Sequence, residues 1–300
     1  MAGNNPAFKN PVFQDQRAVQ TYPGGAQAAQ LGGASRMGAD VASQAQLEGA
    51  YAAPPASAID TGRMTVEDTV WKTTGLFGIL LVTAVIGWVW TASTFTATGG
   101  PTMLPWIIGA LVGFALSMVI IFTSRKKVRP GLIFAYAAFE GLFIGAISAF
   151  FEIKMPGIVL QATLATLSVV GVTLALFASG KVRASKRATK IFMIAMVGYL
   201  VFSLVNVGMM MFGADAASGA FGLRSQPSFL FGIPWGVLLG VFVVIMAAYS
   251  LVLDFDQIQR GVRNGAPRTY GWLGAFGIMV TVVWLYVEIL RLIAILRGGE

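Results

Sequence analysis

The sequence contains no cysteine and no histidine. The absence of cysteine excludes disulfides, thiolate nucleophiles, iron–sulfur clusters and zinc–thiolate sites. The absence of histidine excludes a Ser–His catalytic pair, an HExxH metal site and a haem bound through histidine. Because the usual pairs of nucleophile and base cannot be assembled, we expect neither an enzyme nor a resident cofactor.

Charged residues are also scarce. They make up 11% of the 300 residues, whereas 56% are hydrophobic, and soluble domains contain about 25% charged residues. A span across ~30 Å of hydrocarbon needs roughly 20 apolar residues, and seven runs approach or exceed this length. We therefore predict an all-α membrane protein, a bundle of seven transmembrane helices. The predicted spans are 74–92, 104–122, 132–151, 158–178, 191–212, 231–253 and 270–296.

The first 63 residues have a different composition, dominated by Ala, Gly, Gln, Asn, Ser and Pro. They lack the apolar core of a signal peptide and have too little apolar surface to offset the entropy lost on ordering. We predict a disordered cytoplasmic tail over 1–63 and a seven-helix transmembrane domain over 64–300. Thr65 and Asp68 have the spacing of a capping box at the start of the first helix.

Basic residues predict the orientation. Seventeen of the 21 Lys and Arg residues lie in the tail, at the start of the first helix or in alternate loops. The positive-inside rule then places the N-terminus in the cytoplasm and the C-terminus outside. The net charge of +8 is explained by this rule and by anionic lipid, so we expect no nucleic-acid partner.

Four acidic residues lie in or beside the predicted spans: Glu140, Asp254, Asp256 and Glu288. A carboxylate in hydrocarbon costs at least about 2.5 kcal/mol and usually faces a partner or a wet cavity. Glu140 lies roughly 13 Å from the cytoplasmic end of its helix. Glu288 can pair with Arg291, three residues later on the same helix. Asp254 is the deeper of the two aspartates, and we expect Asp256 to be exposed at the membrane boundary.

A site made of carboxylates, with no His or Cys ligand, suits protons and hard cations such as Ca²⁺. Glu140, Asp254 and Glu288 are therefore candidates for an ion pathway that binds Ca²⁺ transiently, and Asn206 and Asp256 are candidates for its lining. The same acids fit a proton-coupled carrier of a small solute. A third alternative is a membrane scaffold without transport, in which Glu140 and Glu288 would serve only helix packing. Carriers often contain internal repeats, and no clear repeat is present here.

Four stretches of the chain resemble the Bax inhibitor-1 family, in its bacterial branch. They are Tyr249–Ile258 in the sixth span, Phe134–Gly145 in the third, the basic link Arg125–Pro130, and Leu285–Glu288 in the seventh. The resemblance covers about residues 70 to 297. It implies a bundle in a bacterial cell membrane that leaks cations, notably Ca²⁺, and senses pH through an acidic pair between the last two helices.

The resemblance also implies site residues. Asp254 matches the acid of the sixth helix, and Arg125 matches a basic residue that latches the closed state. Two alignments compete for the second acid, because one assigns Glu288 and the other puts Thr281 in its place. A helix that begins near Tyr270 would carry Glu288 about 27 Å from its start, which favours Thr281 and leaves Glu140 as a competing partner for Glu288.

Overall fold

The computed structural model describes residues 62–98, 100–213, 221–226 and 234–298. Seven helices in these ranges are long and apolar enough to cross a membrane, which confirms the predicted fold class. Their bounds are α1 Val66–Thr98, α2 Leu104–Ser124, α3 Pro130–Lys154, α4 Ile158–Ala178, α5 Lys186–Met211, α6 Trp235–Arg263 and α7 Tyr270–Arg297. The predicted disorder of the tail concerns residues that lie almost wholly outside the described ranges.

Side chains cap the first turn of three of these helices. The Thr65 hydroxyl accepts a hydrogen bond from the Asp68 amide at 3.0 Å, as the capping-box spacing predicts. Ser185 caps α5 in the same way, by accepting from the Ala188 amide at 3.2 Å. Glu152, near the end of α3, accepts from the Gly157 and Val159 amides at 2.6 and 3.0 Å. That carboxylate satisfies two of the free amides at the start of α4.

The helices differ in how much of their surface the bundle covers. Half of the most apolar window is buried in α3 and in α7, and 44% in α6, whereas only 11% is buried in α5. The apolar core joins α7 to α1 and α3 through side chains such as Leu76, Ile133 and Phe276. The last helix is therefore the central element, and its polar side chains lie inside the bundle.

Glycines allow the closest approach between helices, at the contact of α1 with α3. A Cβ at Gly141 or Gly145 would overlap the backbone of Leu80 or Ala84 on α1. Small residues four apart permit such contacts in membranes. This packing fixes α3, and with it the position of Glu140.

Consecutive helices each cross once, so α1, α3, α5 and α7 begin on one side of the bundle. We call this side the basic face, because the basic segments 125–129 and 181–190, the second of which includes the first turn of α5, lie there. At this face the start of α1 is tied to the α6–α7 loop. The Met64 amide donates to the Ala266 carbonyl at 2.7 Å, and Asp68 pairs with both Lys72 and Arg268.

Candidate functional site

Asp254 is fully buried, with 0% of its surface exposed. It lies on α6, and its Oδ2 accepts a hydrogen bond at 2.6 Å from the Thr281 hydroxyl of α7. The Ser250 hydroxyl, one turn earlier on α6, lies 3.5 Å from the same threonine oxygen. A carboxylate in this position is held by a neutral donor. The last two helices therefore meet at Asp254 and Thr281.

Glu288 lies two turns further along α7, about 10 Å from Thr281 at 1.5 Å per residue. Its carboxylate forms an ion pair with Arg291 and accepts a hydrogen bond from the Tyr199 hydroxyl at 2.8 Å. Nη2 of Arg291 also donates to that hydroxyl, at 2.7 Å. A second guanidinium approaches from the α5–α6 loop, since Nη1 of Arg224 lies 3.8 Å from Oε1 of Glu288.

Arg224 is only 4% exposed although it belongs to a loop. It sits in the short 3-10 turn Gly222–Ser225, and its Nη2 donates to the Ser203 hydroxyl at 3.0 Å. The guanidinium also lies over the ring of Tyr199, 5.2 Å from its centroid. Its Nε has no hydrogen-bond partner among the residues that the structure describes. The turn thus inserts a cation between α5 and α7.

Asn206 explains why the turn folds inward. Its side-chain oxygen accepts from the Leu223 amide at 2.7 Å, and its side-chain nitrogen donates to the Phe221 carbonyl at 3.2 Å. The residue is buried and bonds two backbone groups of the turn. In this conformation Asn206 positions Arg224.

These residues form what we call the Glu288 cluster: Glu288, Arg291, Arg224, Tyr199 and Ser203. The cluster holds two cations and one carboxylate, so its net charge is positive when all three groups are ionised. The Glu288–Arg291 pair matches the spacing argument from the sequence, but the sequence analysis missed Arg224 and Tyr199. The one available signal was a polar Asn206 near the end of an apolar helix.

Glu140 lies in a third environment, between α2 and α3. A cavity of about 250 Å³ is lined here by Glu140, Tyr136, Ser117 and Gly113, among others. A Cβ on Gly113 would lie 3.0 Å from Oε2 of Glu140, so the glycine leaves the carboxylate its room. The cavity gives a polar group in the membrane space for water or a small solute.

The remaining candidates lie near the basic face. Asp256 was expected to be exposed, and that expectation is wrong, because it is 8% exposed and pairs with Arg260. The helix α6 continues ten residues beyond its predicted end at Leu253, which keeps Asp256 inside the packing. Arg125 is exposed at the end of α2, and its latch role stays a prediction.

The structure does not gather the predicted acids into one cation site. Within the described ranges, no three acidic side chains lie close enough to hold a metal ion together. Asp254 meets Thr281, Glu288 meets two arginines, and Glu140 faces its own cavity. Of the two alignments open in the sequence, the hydrogen bond from Thr281 to Asp254 agrees with the one that puts Thr281 opposite the sixth-helix acid.

The fold and these contacts define a class of protein, an integral membrane bundle of seven helices with ionisable groups held inside it. The family model for Bax inhibitor 1 like proteins matches residues 5–298. The chain belongs to this family, as its motifs suggested, and the match begins well before residue 70. Comparisons with curated proteins and with solved structures gave no match.

Proposed function

We propose that this protein is a pH-sensitive leak channel for cations, with Ca²⁺ as the permeating ion. The observation that carries the proposal is Asp254, a fully buried carboxylate that accepts a hydrogen bond from Thr281 at the contact of α6 with α7. A buried carboxylate attracts cations when ionised and exchanges a proton when its surroundings change. Membership in the Bax inhibitor 1 like family is consistent with this function.

In the proposed mechanism, the described conformation is closed. Protonation of Asp254 would remove the negative charge that the Thr281 hydroxyl now faces, and would loosen the contact between α6 and α7. Glu288 contributes in this conformation by holding Arg224 and Arg291 in place rather than by binding an ion. A net positive group repels cations at short range, so opening requires the Arg224 turn to move or the ion to bypass it.

The orientation belongs to the same proposal. We assign the basic face to the cytoplasm of a bacterial cell, because the excess of Lys and Arg lies there. Asp254 would then control the cytoplasmic half of the pathway, and the Glu288 cluster the outer half. Arg125, exposed at the basic face, is the proposed latch for ionised Asp254.

The test is Ca²⁺ flux from the purified protein in liposomes, measured at pH values from about 6 to about 8. Wild type should show a flux that depends on pH, and Asp254→Asn should flatten that dependence. Glu67→Gln, which changes an exposed acid at the start of α1, is the matched control and should keep the wild-type profile. An unchanged profile in Asp254→Asn rejects the mechanism.

One observation favours a second function, a proton-coupled carrier of a small polar solute. The cavity of about 250 Å³ at Glu140 combines a carboxylate with the hydroxyls of Tyr136 and Ser117, and one acid in such a cavity can couple a proton to a solute. Saturable uptake with counterflow, abolished by Glu140→Gln, would establish the carrier. Flux that rises linearly with Ca²⁺ concentration and survives Glu140→Gln would support the leak channel.

A further inference from the structure

Two apolar cavities lie one above the other along the gap between α1 and α4. The first has a volume of about 470 Å³ and occupies the half nearer the basic face, between residues such as Val70, Leu174 and Ile258. The second, of about 720 Å³, occupies the other half, between residues such as Leu81, Ala84 and Tyr286. They share Phe77, Leu167 and Val282. We call the pair the α1–α4 groove.

The groove opens to the outside of the bundle. Its rim side chains, including Val70, Leu81 and Leu174, are exposed, whereas floor residues such as Leu80 and Ile258 are buried. In a membrane, an exposed rim of this kind faces lipid rather than water. The groove therefore admits a molecule sideways from the bilayer.

Most of the hydroxyl groups along the groove are already bonded within the protein. The hydroxyls of Thr69, Thr73, Thr74 and Thr166 each donate to the carbonyl four residues earlier, at 2.7 to 3.0 Å. The Tyr286 hydroxyl lies 2.7 Å from that of Ser148. A cavity with a mostly apolar lining, whose hydroxyls are bonded to the protein, is a poor site for water. Its occupant must be apolar over most of its length.

The dimensions fit acyl chains. From Val66 to Phe77, α1 rises about 17 Å, and from Phe77 to Trp88 another 17 Å, so each cavity spans about half of a ~30 Å hydrocarbon layer. One acyl chain of a phospholipid therefore matches the length of each cavity.

A positive charge lies at the mouth of the first cavity. Phe177 and Gln259 line it, and Arg183 binds both, with its guanidinium 4.5 Å from the Phe177 ring centroid and 2.8 Å from the Gln259 oxygen. Arg183 is exposed, as are Lys181, Lys186 and Arg187 nearby in sequence. A phosphate at the membrane surface would meet this guanidinium while its acyl chain lies in the groove.

We propose that the half of the α1–α4 groove nearer the basic face binds an anionic phospholipid, with an acyl chain between α1 and α4 and the phosphate at Arg183. A basic side chain at a membrane surface contributes about 1 kcal/mol toward anionic lipid, which corresponds to about a fivefold preference. The site is independent of the proposed ion pathway, because neither Asp254 nor Glu288 lines it.

The experiment is native mass spectrometry of the full chain, after exchange into phosphatidylglycerol or into phosphatidylcholine with identical acyl chains. Wild type should retain phosphatidylglycerol about fivefold better. Arg183→Gln should remove this preference, whereas Arg187→Gln, a matched change of a neighbouring exposed arginine, should keep it. Equal retention of the two lipids by wild type, or equal losses in the two arginine variants, would overturn the proposal in favour of diffuse surface binding.

A second pair of variants tests the groove itself. Leu174→Trp adds bulk at the rim of the proposed site, and Leu81→Trp adds the same bulk at the rim of the other cavity. Retention of phosphatidylglycerol should fall in Leu174→Trp and hold in Leu81→Trp. Equal retention in the two variants, or a lipid-free dimer in wild type, would show that the groove does not hold this lipid. Both side chains face outward, so the bundle should still fold.

Discussion

The last two helices hold their buried acids in opposite ways. Asp254 is bonded to a hydroxyl, whereas Glu288 lies against two guanidiniums and a phenol. The two sites are about 10 Å apart along α7. At one site a neutral hydroxyl donates to a carboxylate, and at the other a carboxylate is outnumbered by cations.

The difference separates a site that can respond to protons from one that holds the bundle together. Removing one partner from a buried ion pair leaves an uncompensated charge, which costs far more than the pair itself contributes. A hydroxyl–carboxylate contact leaves no counter-charge behind when it opens. We infer that the Asp254 contact is the easier one to open, and that the Glu288 cluster resists change.

The largest effect is expected for Glu288→Gln. The substitution keeps the shape of the side chain but leaves Arg224 and Arg291 without their carboxylate, at a cost of about 3–5 kcal/mol in the free energy of unfolding. Thermal unfolding of the purified protein in detergent measures the loss. The double variant Glu288→Gln with Arg224→Gln should recover part of it, and a double variant as unstable as the single one would contradict the role of Arg224.

A smaller effect is expected for Thr281→Val, which removes the hydroxyl that donates to Asp254. A hydrogen bond to a charged group contributes about 1.5–3 kcal/mol, and valine keeps the volume of threonine. The same unfolding assay measures this change, with Thr281→Ser as the variant that keeps the hydroxyl. If the valine variant is as unstable as Glu288→Gln, the two sites do not differ as argued.

Arg224→Gln is expected to cost less again. It removes the excess positive charge and leaves the Glu288–Arg291 pair balanced, so the free energy of unfolding should change by less than about 1 kcal/mol. The variant for comparison is Glu288→Gln, which removes the other partner of the Arg224–Glu288 contact. A loss in Arg224→Gln of the size expected for Glu288→Gln would mean that the turn, rather than its charge, stabilises the cluster.

The sequence predicted the helices well because their signal is local. The fourth predicted span, 158–178, has the bounds of α4, and the seventh begins at Tyr270 as α7 does. The predicted ends failed where polar residues continue a helix. The apolar run of α6 stops at Leu253, but the helix continues to Arg263, since packing against neighbouring helices stabilises residues that hydropathy alone treats as loop.

The candidate site was less predictable, for a physical reason. The spacing of Glu288 and Arg291 predicts a pair within one helix, and the alignment that selected Thr281 agrees with its hydrogen bond to Asp254. Arg224 joins the cluster only because a loop folds back onto Asn206. A contact of this kind depends on tertiary structure, and neither composition nor periodicity records it.

The smallest effect on stability is expected for Gly113→Ala, a substitution beside Glu140, the third acid. Gly113→Ala places a methyl group about 3.0 Å from Oε2 of Glu140, which forces a shift of a few tenths of an ångström in a side chain that borders a cavity. Because the cavity can absorb this shift, the free energy of unfolding should change by less than about 1 kcal/mol. The matched control is Gly75→Ala, where an added Cβ meets no atom within 4 Å.

If Glu140 lines the ion pathway, Ca²⁺ flux in liposomes should fall in Gly113→Ala and hold in Gly75→Ala. Equal flux in the two variants would leave Asp254 as the acid that controls permeation.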